Sequence, residues 1–224
     1  MFSGIGGFSL AAKWCWGKEL EIVGFVENDK HCQRVLKKHW SDVLIHSDIK
    51  NYKYNGTVDL ITGGFPCQDI NIAGKGVGIE GERSGLWTEF KRIISEVRPK
   101  FALIENVPIL TNRGLDRVLC NLAEIGYDAE WQCISASEVG AWHKRERIWI
   151  VAYPTNSRTK RMYKRENLSH KRQWEFEPEL GRVAHGIPSR VDRLRCLGNA
   201  VVPQQIYPIL QAIADIERQD EREI

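Results

Sequence analysis

Short apolar runs alternate with longer segments of helical spacing along most of the chain. The apolar runs predict strands at Ile22–Val26, Val43–Ile45, Val58–Thr62, Phe101–Ile104, Tyr127–Ser135 and Arg147–Tyr153. The segments between them predict helices at Phe8–Lys18, Asp29–Trp40, Ser84–Val97, Leu115–Ile125 and Gln204–Glu217. Strands that alternate with helices indicate an α/β fold, in which helices cover both faces of a mostly parallel sheet.

Two stretches interrupt this pattern. Asp69–Ser84 contains four glycines, and Pro154–Gly186 shows no strong periodicity. We therefore predict an α/β domain over residues 1–153 and a short insertion over residues 154–186. The remaining segment, residues 187–224, is expected to return to the α/β domain.

Positive charge is concentrated in the insertion, although the net charge of the whole chain is only +3. Between Pro154 and Glu175, seven lysines and arginines accompany two glutamates, which gives this stretch a net charge of +5. Such a cluster is typical of a polyanion-binding surface, but a solvated loop has the same composition. No apolar run approaches the roughly 18 residues of a membrane helix, and the N-terminus lacks the pattern of a signal peptide. We expect a cytoplasmic protein with no membrane partner.

The six cysteines are widely separated, and no two form a CxxC pair, so we expect no metal site. Most of them are flanked by apolar residues, as reduced cysteines in a protein core usually are. Cys67 is different, because it follows Pro66 at the end of a predicted buried strand and precedes the glycine-rich stretch.

Groups suited to a nucleoside ligand follow each other in order along the first part of the chain. Gly4, Gly6 and Gly7 precede the first predicted helix, whose N-terminus can receive a ligand. Glu27 follows the predicted strand Ile22–Val26. Its separation from the glycines, about 20 residues, is the spacing at which an acid in such folds accepts hydrogen bonds from a ribose. Asp48 follows the predicted strand Val43–Ile45 and could accept a hydrogen bond from an adenine amino group. Because ligands bind at the carboxyl ends of such strands, this order predicts an adenosyl-cofactor site.

Cys67 and Glu105 are expected on the same rim of the sheet. A cysteine attacks only as its thiolate and needs cations or a base nearby. Glu105 ends the neighbouring predicted strand and is a candidate acid, although a lone glutamate there is often solvated or caps a helix. Arg145 and Arg147 begin another strand on the opposite rim or nearby, where surface charge is the alternative interpretation.

Five motifs occur in the order FSGIGG, GGFPCQ, ENV, RERIWIVAY and RLRCLGNAVVP. In sequence and spacing they resemble the motifs of the cytosine-5 DNA methyltransferases, particularly the small enzymes of phages and restriction–modification systems. The resemblance covers nearly the whole chain outside the basic insertion. It implies the Rossmann-like fold of S-adenosylmethionine-dependent methyltransferases and a monomer that acts on double-stranded DNA in a bacterial, archaeal or phage-infected cell.

The resemblance also implies a mechanism in which Cys67 adds to carbon 6 of a cytosine that has left the duplex. Glu105 would hold ring nitrogen 3, and Arg145 or Arg147 would contact the base or the backbone. The implied cofactor residues are Phe2, Ser3, Gly4, Gly6, Gly7, Glu27, Asn28, Asp48, Ile49, Phe65, Pro66, Leu86, Asn199 and Val201. The expected DNA contacts are Gln68, Lys160, Arg161, Lys164 and Arg165. The glycine-rich stretch after Cys67 is expected to close as a lid.

Three departures from the family pattern leave alternatives open. His143 stands where the family has a glutamine, and only about 30 residues remain for target recognition. Met1 stands where the family has a leucine after its first, central strand, so we expect either an upstream start or a gapped, weakened sheet. The alternatives are a transfer RNA cytosine-5 methyltransferase and a nucleic-acid-binding remnant without activity.

Overall fold

The computed structural model describes residues 1–66, 85–157, 190–220 and 222. Within these ranges the strands are β1 (Phe25–Val26), β2 (Ile45–His46), β3 (Leu60–Gly64), β4 (Phe101–Asn106), β5 (Tyr127–Ile134) and β6 (Arg147–Pro154). The α-helices are α1 (Gly7–Trp16), α2 (Lys30–His39), α3 (Gly85–Val97), α4 (Leu115–Glu124), α5 (Arg190–Asn199) and α6 (Pro203–Asp220). Short 3₁₀ helices lie at Ile49–Asn51, Pro108–Asn112 and Ala136–Val139.

The α/β class is confirmed, but the sheet is mixed rather than mostly parallel. β1 and β2 form a parallel pair, and β3, β4, β6 and β5 form a second sheet in that order. β3 and β4 are parallel, whereas β6 runs antiparallel to both of its neighbours. β6 follows β5 after residues 135–146, which contain a short 3₁₀ helix, and the two strands pair antiparallel.

Two cores lie on opposite faces of the larger sheet, because successive residues of a strand point to opposite sides. In β4, Ala102 and Ile104 pack into one core, while Phe101 and Leu103 pack into the other. The first core is covered by α3 and α4, and the second by α1 and α6. The expectation that helices cover both faces is therefore confirmed.

The two helices of the second core are also tied together at their far ends. The Trp16 indole donates to the Glu217 carboxylate at 3.1 Å, and the Arg218 guanidinium donates to the Cys15 carbonyl at 3.2 Å. These bonds join the last turn of α1 to α6. Within the described ranges, no helix combines the length and hydropathy needed to cross a membrane.

The first residues of the chain lie between the two sheets. The Met1 amino group donates to the Thr62 carbonyl of β3 at 2.6 Å, and the Ser3 amide donates to the Val26 carbonyl of β1 at 3.1 Å. Among the described strands, β1 and β3 share no ladder. The strand predicted at Ile22–Val26 is correspondingly short, and pairs only at Phe25 and Val26.

Candidate active site

The glycine-rich turn places backbone, rather than side chains, at the N-terminus of α1. Gly6 has a φ of +89°, and a Cβ at this position would overlap the ring of Trp40, so only glycine fits. Gly7 packs against Val201, which follows α5. At Gly4 the opposite holds: its φ is +52°, and a Cβ would meet nothing within 4 Å. The space over Gly4 is therefore open to a ligand at a helix N-terminus, where backbone amides favour anionic or polar groups.

Glu27 is buried directly beside this turn, with 8% of its surface exposed. Its Oε2 atom accepts a hydrogen bond from the Gly4 amide at 2.7 Å, and its Oε1 atom accepts one from the Asp29 amide at 2.8 Å. Since each carboxylate oxygen can accept two hydrogen bonds, each retains capacity for one ligand hydroxyl. The sequence prediction that an acid and the glycine turn form one site agrees with this geometry.

The other predicted cofactor residues differ in their exposure. Asp48 is exposed, and its two carboxylate oxygens accept from the Lys50 amide and the Asn51 side chain, both at 2.9 Å. Asp48 thus starts the 3₁₀ helix that follows β2. Asn28 and Asn199 are exposed, whereas Ile49 and Phe65 are buried in the core beside α3. The positions of Phe2, Ser3, Pro66, Leu86 and Val201 are partly buried.

Glu105 lies opposite Gly64 in the ladder between β3 and β4. A Cβ at Gly64 would lie 2.5 Å from Glu105 Oε2, so any side chain at position 64 would require the carboxylate to shift. Gly64 therefore makes room for the Glu105 carboxylate. This explains why a glycine ends the strand that leads towards Cys67.

The Glu105 carboxylate is paired with an arginine from β6. Arg147 Nε lies 2.9 Å from Glu105 Oε1, and the two side chains are only 18% and 14% exposed. Burial raises the pKa of Glu105 above its ordinary value, while the nearby Arg147 and Arg145 guanidinium groups oppose that rise. A carboxyl with a raised pKa keeps its proton to higher pH than an ordinary carboxyl, which suits it to act as a proton donor.

Arg145 reaches the segment after α5. Its guanidinium donates to the Ala200 carbonyl at 2.6 Å, and burial, with a contribution from Arg147, lowers its pKa. The backbone of Arg145 has a φ of +24°, an uncommon conformation for a residue with a side chain. Of the predicted catalytic residues, the structure therefore brings Glu105, Arg145 and Arg147 together.

Two buried amide side chains support this site and were missed by the sequence analysis. Asn106 Nδ2 donates to the Phe65 carbonyl at 3.2 Å, which ties β4 to the turn two residues before Cys67. Gln205 Nε2 donates to the carbonyls of Ile134 and Arg145, at 2.8 and 2.9 Å. The only signals in the sequence are their positions, beside Glu105 and just after the motif that contains Asn199.

Several predicted residues lie outside the described ranges. These are the candidate nucleophile Cys67 and the predicted DNA contacts Gln68, Lys160, Arg161, Lys164 and Arg165. The predicted lid after Cys67 and most of the insertion also lie there, so these assignments stay predictions.

The two-sided α/β core, with a glycine-rich turn at the start of α1 and an acid after β1, defines the Rossmann-like fold of S-adenosylmethionine-dependent methyltransferases. A family model described as C-5 cytosine-specific DNA methylase matches residues 1–185. The chain belongs to this family, which confirms the resemblance in the motifs.

Individual relatives support the same assignment. The chain is 31% identical over 210 residues to the type II methyltransferase M.CviJI of Paramecium bursaria Chlorella virus IL3A, covering 92% of this chain and 56% of that protein. It is 36% identical over 160 residues to M2.BsuMI of Bacillus subtilis strain 168, covering 68% and 40%. The chain therefore spans about half the length of the curated relatives it matches.

Solved structures share the fold. A mutant of DNMT2 from Spodoptera frugiperda aligns with a TM-score of 0.59 and 24% identity, covering 74% of this chain and 52% of that one. The Dnmt2 methyltransferase of S. pombe aligns with a TM-score of 0.57 and 20% identity, covering 70% and 50%. At these identities the similarity establishes the fold alone.

Proposed function

We propose that this chain catalyses transfer of a methyl group from S-adenosylmethionine to carbon 5 of cytosine in double-stranded DNA. The observation that carries the proposal is the buried Glu105–Arg147 pair, which lies over Gly64 on the strand that leads to Cys67. In a chain of the cytosine-5 methylase family, this arrangement supports a role for Glu105 as an acid that acts together with Cys67.

The described residues fit an adenosyl cofactor. Glu27 is buried with hydrogen-bonding capacity left on both carboxylate oxygens, and the backbone of Gly4 faces open space. Glu27 would hold the ribose hydroxyls, and Phe2, Ser3, Gly4 and Val201 would form the surrounding walls. When bound, S-adenosylmethionine supplies an electrophilic methyl group.

In the proposed mechanism, Cys67 acts as nucleophile and Glu105 as acid. The Cys67 thiolate adds to carbon 6 of cytosine, and the released electron density moves towards ring nitrogen 3 and carbon 5. Glu105 donates a proton to nitrogen 3, a role that its raised pKa favours. Arg147 fixes the orientation of the carboxyl by its 2.9 Å contact. Once carbon 5 has taken the methyl group, it loses its own proton, Cys67 is expelled, and nitrogen 3 returns its proton to Glu105, which restores the aromatic ring.

Asn106 supports the nucleophile in this proposal. Its bond to the Phe65 carbonyl connects the strand that carries Glu105 with the segment that leads to Cys67. Because both catalytic groups must contact one base, a fixed spacing between these strands lowers the entropy lost in reaching the reactive geometry.

DNA binding is assigned to the predicted contacts and to the basic insertion. The target cytosine must leave the duplex to reach a buried acid. Lys160, Arg161, Lys164 and Arg165 would bind phosphates, and Gln68 would contact the DNA beside Cys67. An insertion this small presents few side chains to base edges, so we expect a short target sequence and a monomeric enzyme.

The experiment that tests the function compares duplex DNA and transfer RNA as acceptors of a radiolabelled methyl group. We expect label in DNA at carbon 5 of cytosine, and none with a Cys67→Ser variant that still binds S-adenosylmethionine, because a hydroxyl is a far weaker nucleophile at neutral pH. A duplex containing 5-fluorocytosine should trap the wild-type protein covalently, because fluorine cannot leave as a proton. Label in RNA alone, or full activity of Cys67→Ser, would refute the proposal.

A further inference from the structure

Cys32 and Cys196 form a buried pair that the proposed mechanism does not use. Cys32 lies in α2 and Cys196 in α5, 164 residues apart in sequence, and their Sγ atoms are 2.9 Å apart. The two residues are only 5% and 4% exposed. Two sulfur atoms at this distance are closer than in an ordinary non-bonded contact.

Asp29 orders the protons of the pair. Its Oδ1 atom lies 3.9 Å from Cys196 Sγ, so the Cys196 thiol can donate to the carboxylate. The Cys32 thiol then donates to Cys196 Sγ. Burial raises the pKa of Cys32, and the hydrogen bond to Cys196 raises it further. Both sulfurs are thus held in contact, with a carboxylate at one end to receive a proton.

The pair joins two segments of the site. Asp29 caps α2 directly after Glu27 and Asn28, and accepts from the Cys32 amide at 3.0 Å. Cys196 lies one turn before Asn199 in α5. The contact therefore links the segment that carries Glu27 to α5, the helix that precedes Ala200 and Val201.

We propose that Cys32 and Cys196 are an oxidisable thiol pair, which peroxide converts into a disulfide that fastens α5 to α2. The Cys196 sulfur gives its proton to Asp29 and attacks one oxygen of hydrogen peroxide. The O–O bond breaks, and the departing hydroxide takes that proton from Asp29, which leaves a sulfenic acid and water. The Cys32 sulfur then displaces the hydroxyl group from Cys196, which leaves with the Cys32 proton as a second water. Two thiols are oxidised to one disulfide, and one peroxide is reduced to two waters.

The same atoms favour a disulfide over a bound metal ion. Asp29, Cys32 and Cys196 offer three ligand atoms within 4.8 Å of one another. However, among the described residues these three ligand atoms are one fewer than a structural zinc site has. Tetrahedral zinc with Zn–S bonds of about 2.3 Å would also hold two sulfurs about 3.8 Å apart, farther than the observed contact. Disulfide formation instead requires the sulfurs to approach to about 2.05 Å.

The test uses the full-length wild-type protein, first reduced and treated with a chelator, then exposed to hydrogen peroxide. Remaining thiols are alkylated in denaturant, and peptides are mapped by mass spectrometry without reduction. We expect a peptide pair linked through Cys32 and Cys196, which dithiothreitol reverses, while the exposed Cys120 remains available for alkylation. The cross-link should raise the melting temperature by about 5–10 °C, because it restricts the unfolded chain.

Matched variants separate this pair from general oxidation. Cys120→Ala should show the same linked peptide and the same rise in melting temperature, and Cys196→Ala should show neither. The inference is overturned if Cys32 and Cys196 are both alkylated after oxidation of the wild-type protein, or if they pair with other cysteines. It is also overturned if the reduced protein binds stoichiometric zinc that Cys196→Ala loses. These outcomes do not depend on methyl transfer, so they are independent of the proposed function.

Discussion

Replacing Gly64 with alanine should disturb the Glu105–Arg147 pair without changing a charged residue. The new Cβ would lie 2.5 Å from Glu105 Oε2, and real Cβ atoms essentially never come within 3.0 Å of such a neighbour. To restore ordinary contact the carboxylate must move by about 0.9 Å, since the ladder holds the two backbones in place. That movement must alter the 2.9 Å contact between Glu105 Oε1 and Arg147 Nε.

The expected cost follows from two opposing effects. Overpacking a well-packed site costs about 1–3 kcal/mol of unfolding free energy. Replacing glycine by alanine in a strand returns about 0.5–1 kcal/mol, because the unfolded chain loses conformational freedom. The net loss is about 1–2 kcal/mol, which for a chain of this size lowers the melting temperature by about 3–8 °C. Misplacing the acid by nearly 1 Å should also slow methyl transfer about 100-fold.

A double-mutant cycle isolates the clash from other effects of the alanine. In a Glu105→Ala background the carboxylate is gone, and the nearest remaining atom of residue 105 is its Cβ at 3.6 Å, an ordinary contact. There Gly64→Ala should leave the melting temperature unchanged or raise it. Gly85→Ala is the matched control, because a Cβ at Gly85 meets nothing within 4 Å. An equal loss of stability in both backgrounds, or no loss in the wild type, would refute the packing of Glu105 over Gly64.

Three further predictions concern other parts of the chain. Burial raises the Glu105 pKa above its ordinary value of 4.5, so the folded protein keeps the carboxyl proton at pH values where the unfolded chain has lost it. The protonated Glu105 therefore contributes fully to stability below pH 4.5, and this contribution is lost as the pH rises through the pKa of the folded state. Thermal melting of Glu105→Gln should lack this component, and a pH profile identical to the wild type would contradict the raised pKa. Replacing Lys160, Arg161, Lys164 and Arg165 with alanine should weaken binding to all DNA sequences and flatten the salt dependence of binding, which fluorescence anisotropy measures. An unchanged slope would show that these four side chains contact no phosphates. Adding a short apolar strand and an aspartate before Met1 should raise both the melting temperature and the cofactor affinity, because β1 and β3 share no ladder among the described strands. If neither quantity changes, the edges of β1 and β3 do not accept a strand.

Local features of the fold could be predicted because their causes lie within a few residues. Asp29 was expected to begin α2, and its carboxylate accepts from the His31 and Cys32 amides as a helix cap does. Phe90, Ile93 and Ile94 recur at helical spacing and all face the same core. The acid at the end of β1 was likewise expected beside the glycine turn, and Glu27 accepts from the Gly4 amide.

Features that depend on contacts between distant segments could not be predicted in this way. The need for glycine at position 64 arises only when β4 places Glu105 opposite it. Asn106 and Gln205 are polar residues in apolar surroundings, and their roles become visible only from the distant carbonyls that they satisfy. The direction of β6 relative to β4 is also set by pairing between distant segments, whereas its apolar pattern is the same in either direction.

That direction is what completes the candidate site. Because β6 runs antiparallel to β4, its first residues lie beside the last residues of β4, with Ile148 opposite Asn106 and Trp149 opposite Glu105. Arg147 therefore begins its strand at the rim where Glu105 ends another. In a parallel arrangement, the start of β6 would lie at the far end of β4, about 20 Å away for a strand of six residues. Parallel strands bring only their carboxyl ends to this rim of the sheet, whereas the antiparallel β6 brings its first residues there. Arg147 therefore lies beside the buried Glu105 carboxylate.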